Sequence, residues 1–315
     1  MPPTTHRIQN LFFDKSAFQA LSSDVHAHVR RQYNVVVAPT LLHEVAGDLR
    51  EDRSFRTRTP EQHAAILAGK FGGAVTEHRD WRDISRGELL GETVSWREGP
   101  SVRKAIEGTL ADGTRVSIWI PRADGSVISP TTNWIELVSR EAWPSRYPAD
   151  SRTLEAEVKE LWGIMASRIR PTKVRPTDQS AAAAEVDRIL ESEALKEIVI
   201  RWSADNVNDA RRSSRTLRQS IKRRWSALRK PRLSVFAPYT HYCARVQLLY
   251  LVGFTIWPKR RERNDFADLE YLRLLPFFDI LVSDDRFVRG LAAHLNRPDQ
   301  EVITSQEILT RLSKE

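Results

Sequence analysis

The chain has 315 residues, 41% hydrophobic and 29% charged, which is enough apolar content for a sizeable core and an ordinary charge density for a soluble protein. A formal charge of +8 and a pI near 9.8 favour a polyanionic partner, nucleic acid first and an anionic membrane second. The single cysteine, Cys243, excludes an intramolecular disulfide framework and a Cys-rich zinc site, and suits a reducing cytoplasm.

The N-terminus lacks the charged-then-apolar pattern of a signal peptide, and the most apolar run, residues 246–257, is too short to span a bilayer. A soluble, cytoplasmic protein is expected. Residues 7–14 (RIQNLFFD) read as a buried strand ending in an acid, followed by a helix over 16–21. Residues 34–39 (NVVVAP) read as a second strand, and Thr40 is placed as the cap of a helix over 41–49 that carries Glu44 early. Strand–helix–strand–helix at this spacing predicts a parallel α/β layer. Both acids then lie on the carboxyl side of the strands.

Residues 50–58 read as a charged loop, and a helix over 60–69 is broken by Gly72-Gly73. Residues 101–120 carry a hairpin signal around Ala111-Asp112-Gly113-Thr114, and Asp124-Gly125 suggests a further turn. Helical periodicity runs over 154–169 and 181–201, separated by a proline-bearing linker at 171–176. In residues 209–228, Leu217, Ile221, Trp225 and Leu228 form one stripe, while Arg211, Arg215, Arg218 and Lys222 form another. Residues 201–232 hold eleven Lys/Arg against two Asp, a local +9 that accounts for the basicity of the whole chain. A buried helix is expected over 239–253, then helix, strand and helix over 286–295, 301–304 and 306–314, with Ser305 capping the last.

The chemistry concentrates in residues 264–287 (NDFADLEYLRLLPFFDILVSDDRF). Asp265 and Asp268 are three apart and share a helix face. A strand at 280–283 leads into Asp284-Asp285, and open α/β sheets form their clefts at such strand ends. Crowded carboxylates repel unless a cation sits between them, and a hard divalent ion such as Mg²⁺ or Mn²⁺ suits oxygen donors. His43 beside Glu44 does not make a zinc-protease motif, because Gly47 stands where the second histidine belongs. His241 and Cys243 have no second pair at metal spacing, and Asp279 is read as a solvent-facing or strand-capping residue.

In these motifs the chain resembles the PIN-domain nucleases. The shared pattern is an Asp closing the first strand (Asp14), a Glu early in a helix after the second (Glu44), an Asp opening a late helix (Asp265 or Asp268), and a Thr-x-Asp-x-x-Phe-like turn, with Ser283 and Asp285 in the Thr and Asp positions. The resemblance covers residues 7–49 and 231–313. It implies a PIN-like α/β core built from residues 1–51 and 231–315, with residues 52–230 as a long α+β insertion. It further implies metal-dependent phosphodiester cleavage, most often of RNA, in a toxin or anti-phage defence setting. On this reading Asp14, Glu44, Asp268 and Asp285 hold Mg²⁺ or Mn²⁺ directly or through water, with Asp265 or Asp284 supporting them and Asp284 a further candidate ligand. Ser283 bonds a ligand carboxylate or the phosphate.

Arg211, Arg215, Arg218, Lys222 and Arg223 are the candidate nucleic-acid contacts, with Trp202 and Trp225 nearby for stacking. A DNA-cleaving nuclease and a catalytically inactive PIN-like nucleic-acid-binding scaffold are the rival readings. Homo-oligomerisation and a regulatory protein partner stay open.

Overall fold

The computed structural model describes residues 8–41, 44–45, 66, 69–71, 78–95, 105–109, 115–119, 178–207, 214–253 and 265–314. Outside them lie His43, the end of the expected helix over 41–49, the loop at 50–58, most of 60–69, Gly72-Gly73, the turn at 111–114, Asp124-Gly125, residues 154–176 and Arg211.

Apolar, β-branched and aromatic runs make a four-stranded parallel sheet. Its strands are β1 (Asn10–Phe13), β2 (Asn34–Val35), β5 (Ile280–Val282) and β6 (Glu301–Ile303), in the order β2-β1-β5-β6. A separate antiparallel hairpin joins β3 (Ala105–Thr109) to β4 (Arg115–Trp119), as the turn signal predicts. The two central strands are buried along their whole length, as a parallel sheet covered on both faces requires. Leu11, Phe12, Ile280, Leu281 and Val282 are each 0% exposed, and each such side chain contributes roughly 2 kcal/mol by leaving water.

Helix α1 (Lys15–Ala20) follows β1 directly, and α2 (Ser23–Gln32) leads to β2. The second strand is shorter than residues 34–39 suggest. After Val35 the described residues make isolated bonds, Val36 N–H to Leu11 O at 3.0 Å and His78 N–H to Val37 O at 3.0 Å. Thr40 is already helical rather than a cap.

Helix α3 (Trp81–Leu90) has no counterpart in the sequence reading, although Asp80 caps it through Arg82 N–H at 2.8 Å and Gly91 ends it at φ +114°. The periodic run over 181–201 is two helices, α4 (Gln179–Leu190) and α5 (Lys196–Asn206). The break is a turn closed by Leu195 N–H to Ser192 O at 3.1 Å, and Arg232 pairs with Glu191 and Glu193 beside it. Helix α6 (Ser214–Ala227) buries Ile221 and Trp225 but leaves Leu228 half exposed, so the expected apolar stripe stops one turn early.

Helices α7 (Leu233–Phe236) and α8 (Pro238–Gly253) precede α9 (Asp265–Leu274), which ends in a short 3₁₀ turn at Leu275–Phe277. Helix α10 (Arg286–Ala292) follows β5, and α11 (Ser305–Leu312) closes the chain. Thr304, not Ser305, caps α11, in a reciprocal capping box with Glu307. That arrangement satisfies two otherwise orphaned backbone N–H groups.

Helices of the middle segment share one apolar cluster with the sheet. The joint is Glu88, buried at the end of α3, whose carboxylate accepts from Tyr239 N–H (2.9 Å), Thr240 N–H (2.7 Å) and the Thr240 hydroxyl (2.9 Å). A carboxylate here satisfies the first N–H groups of α8 and faces its positive end. Arg224 in turn donates to the carbonyls of Glu88 and Leu89 and lies over the Phe236 ring. From α8, the Tyr239 hydroxyl donates to Arg273 O and the Tyr242 hydroxyl to Leu272 O, so α9 is fixed at its carboxyl end.

Two histidines are sealed in this core. Burial lowers His26 and His78 from 6.5 to about 4. A depressed pKa means their contribution is intact above pH 6.5 and is lost as pH falls towards 4. Each loss is on the order of 3 kcal/mol. Thermal melts at pH 7 and pH 4.5 are therefore expected to show a marked fall for the wild type and a smaller one for His26→Gln. A glutamine amide can still donate to Phe18 O, the partner of His26 at 3.0 Å.

A candidate acidic site at the carboxyl ends of the central strands

From β1 the chain moves to β2 on one side, and from β5 it moves to β6 on the other. Connections that diverge this way open a crevice between the carboxyl ends of the two central strands. The register pairs Phe13 with Val282, so the next residues, Asp14 and Ser283, become neighbours. Asp14 N–H bonds Val282 O at 3.0 Å, and the Ser283 hydroxyl donates to Asp14 Oδ2 in a short bond.

Asp14 is 2% exposed. Its Oδ1 accepts from Ala17 N–H and from the Ser16 hydroxyl, both at 2.8 Å, which makes it the cap of α1. Burial raises the Asp14 carboxyl above its usual value and the Asp285 charge adds to the rise, against the lowering by these hydrogen bonds. Asp285 caps α10 through Phe287 N–H at 2.6 Å, while its own N–H reaches the Ser283 hydroxyl at 3.2 Å. Ser283 thus links the two acids.

Glu44 arrives from the segment after β2. It accepts a hydrogen bond from the Tyr271 hydroxyl at 2.5 Å, across 227 residues of sequence. Tyr271 is 1% exposed. Burial holds its phenol protonated well beyond the usual range, and the charges of Glu44, Asp14 and Asp268 push the same way. Of these acids it is Glu44 that touches the phenol. Asp268 lies one turn before Tyr271 on α9, and Asp265 is the first residue of that helix.

The Asp284 carboxylate goes elsewhere. Both of its oxygens accept from Ser305, Oδ1 from the backbone N–H at 2.9 Å and Oδ2 from the hydroxyl at 2.6 Å. This ties the turn to the start of α11. Both members of the pair reach Asp14 through a serine, Asp284 N–H bonding the Ser16 hydroxyl at 3.3 Å and Asp285 N–H the Ser283 hydroxyl. Asp279 lies at the opposite end of the sheet, accepting from Asn10 N–H at 2.7 Å, which is a strand-capping role.

Among the described residues no three acidic, imidazole or thiol side chains already stand close enough to hold a cation. The donors are nevertheless of the right kind, since carboxylate oxygens suit a hard divalent cation. Tyr271 and Ser16 escaped the sequence reading. The available signal was a tyrosine one turn after Asp268, because a buried phenol must find a polar partner.

On α6, Arg215, Arg218, Lys222 and Arg223 are exposed. Arg218 pairs with Asp205 at 2.5 Å. Trp225 is 3% exposed and donates to Pro231 O at 2.7 Å, so it is a core anchor and not a stacking platform. Burial pushes the Cys243 thiol up to about 12, which leaves it an inert core residue.

Comparison with protein-family models, curated proteins and solved structures found no match. No described helix is long and apolar enough to cross a membrane.

The buried Asp14 charge makes a direct prediction. Asp14→Asn keeps an acceptor for Ala17 N–H and removes the disfavoured charge. The midpoint of urea denaturation at pH 7 is expected to be equal to or above that of the wild type, unlike the loss usual for a core substitution.

Proposed function

We propose that this protein is a metal-dependent nuclease of PIN-like type that hydrolyses RNA phosphodiester bonds. The observation that supports the reading is that two acids from the first part of the chain, Asp14 and Glu44, are each hydrogen-bonded to the last part. Asp14 joins the Ser283–Asp285 turn, and Glu44 joins the helix of Asp268. Asp14, Glu44, Asp268 and Asp285 are the residues that would hold Mg²⁺ or Mn²⁺. When bound, such an ion supplies Lewis acidity and lowers the pKa of water.

The protein's own residues prepare that chemistry. Ser283 orients the Asp14 carboxylate through a short hydrogen bond, and Ser16 fixes its other oxygen. Asp285 serves α10 as a cap through Oδ1, so its backbone is held in place while it contributes charge to the crevice. Labelled RNA and DNA strands, incubated with and without EDTA, test the activity. Cleavage of RNA that stops on chelation supports the reading. Cleavage of DNA alone would move the substrate assignment, and no cleavage of either would leave the inactive scaffold.

Asp285→Asn is the informative variant, because asparagine caps helices as well as aspartate. It should fold normally and cleave more than about a hundredfold more slowly, since loss of even an outer partner of a metal ligand costs about 10–100-fold. The exposed cations of α6 are proposed to contact the phosphate backbone. Replacing Arg215, Lys222 and Arg223 with Gln should reduce the slope of log affinity against log salt by about 2 for single-stranded RNA. An unchanged slope places the contact elsewhere. Arg224 is excluded from this set because it is bound to the end of α3.

A further inference from the structure

We infer that Tyr271 is a positioning residue that sets Glu44 for cation binding and fixes its spacing from Asp268. The inference rests on the proposed metal site and adds to it a residue that is neither acidic nor a ligand. A glutamate side chain has three rotatable bonds, and ordering it costs roughly 1.5–2 kcal/mol of conformational entropy. A half-exposed Glu44 left to itself would meet that cost each time a cation bound. The Tyr271 ring is packed at 1% exposure, and its hydroxyl can donate one hydrogen bond. That bond goes to Glu44 Oε2 at 2.5 Å.

The same bond has a second consequence. Tyr271 and Asp268 are three apart on α9 and share a face. The carboxyl end of α9 is held by Tyr239 and Tyr242 from α8. Locking Glu44 to Tyr271 therefore sets the distance between two carboxylates that sit on separate elements and are remote in sequence. The phenol acts on the site through geometry and donates no electrons to the ion.

The test measures Mn²⁺ affinity by electron paramagnetic resonance on the full chain, with no substrate present. Tyr271→Phe removes only the hydroxyl and keeps the ring volume. It is expected to weaken Mn²⁺ binding about 10–100-fold, the range for loss of an outer hydrogen-bond partner. In a Glu44→Gln background the same change should add little further loss, because the two residues act as a unit. A purely structural role would lower the melting temperature of Tyr271→Phe and leave the Mn²⁺ affinity of the folded protein unchanged.

A measurement on the wild type stands independently of how the variant folds. The chain has six tyrosines, and with ¹³Cζ-tyrosine label the Tyr271 signal should shift on titration with Mg²⁺. Wild-type binding of Mn²⁺ with equal or tighter binding by Tyr271→Phe overturns the inference alone, as does a Tyr271 signal that ignores Mg²⁺. Failure of the wild type to bind Mn²⁺ at all overturns the metal site and the inference together.

Discussion

The pairing of β1 with β5 is the constraint on which the rest of the structure depends. These strands come from opposite ends of the chain, and parallel pairing in register sets Asp14 beside Ser283. A shift by one residue would turn every side chain of β1 to the other face of the sheet. Phe12 and Phe13 would exchange surroundings, and the acid at the strand end would leave the turn. The burial of Leu11, Phe12, Ile280, Leu281 and Val282 makes that shift prohibitive. Hydrophobic packing thus holds in place a carboxyl group whose burial disfavours its charged form.

Two of the four acids carry a structural duty along with any chemical one. Asp14 caps α1 and Asp285 caps α10, so their backbones are rigid and each has one oxygen committed to N–H groups. Capping alone does not account for the arrangement. A serine would cap either helix as well, whereas the Asp14 carboxyl sits where burial raises its pKa. A residue that disfavours the fold in this way fits a site where stability is traded for function.

The middle of the chain is coupled to this site through helices. Glu88 on α3 caps α8, α8 fixes α9 through two tyrosines, and α9 carries Asp268 and Tyr271. On its other side α9 presents Glu270 and Arg273. Glu270 bonds Arg82 and Arg273 there, and both arginines lie against Trp81. The helices of the middle segment therefore serve as a wall for α9. The basic helix α6 stands behind that wall, packed on α3 and α5.

Strands bounded by turn residues, helix periods and acids at strand ends were legible in the sequence because they depend on neighbours a few residues away. On that basis the parallel layer, the β3–β4 hairpin and the candidacy of Asp14, Glu44, Asp268 and Asp285 could all be read without coordinates. Local pattern could not choose between Asp284 and Asp285, since both follow the same strand. Only the tertiary structure shows that Ser305 holds the Asp284 carboxylate. Helix α3 and the partnership of Tyr271 with Glu44 were equally beyond it. Each is decided by a contact between segments remote in sequence, and such contacts leave no periodicity to read. The sequence by itself determined which residues carry charge and which apolar runs form the strands that they follow. The tertiary structure decided which of those residues meet, because only packing brings the two ends of the chain into one crevice.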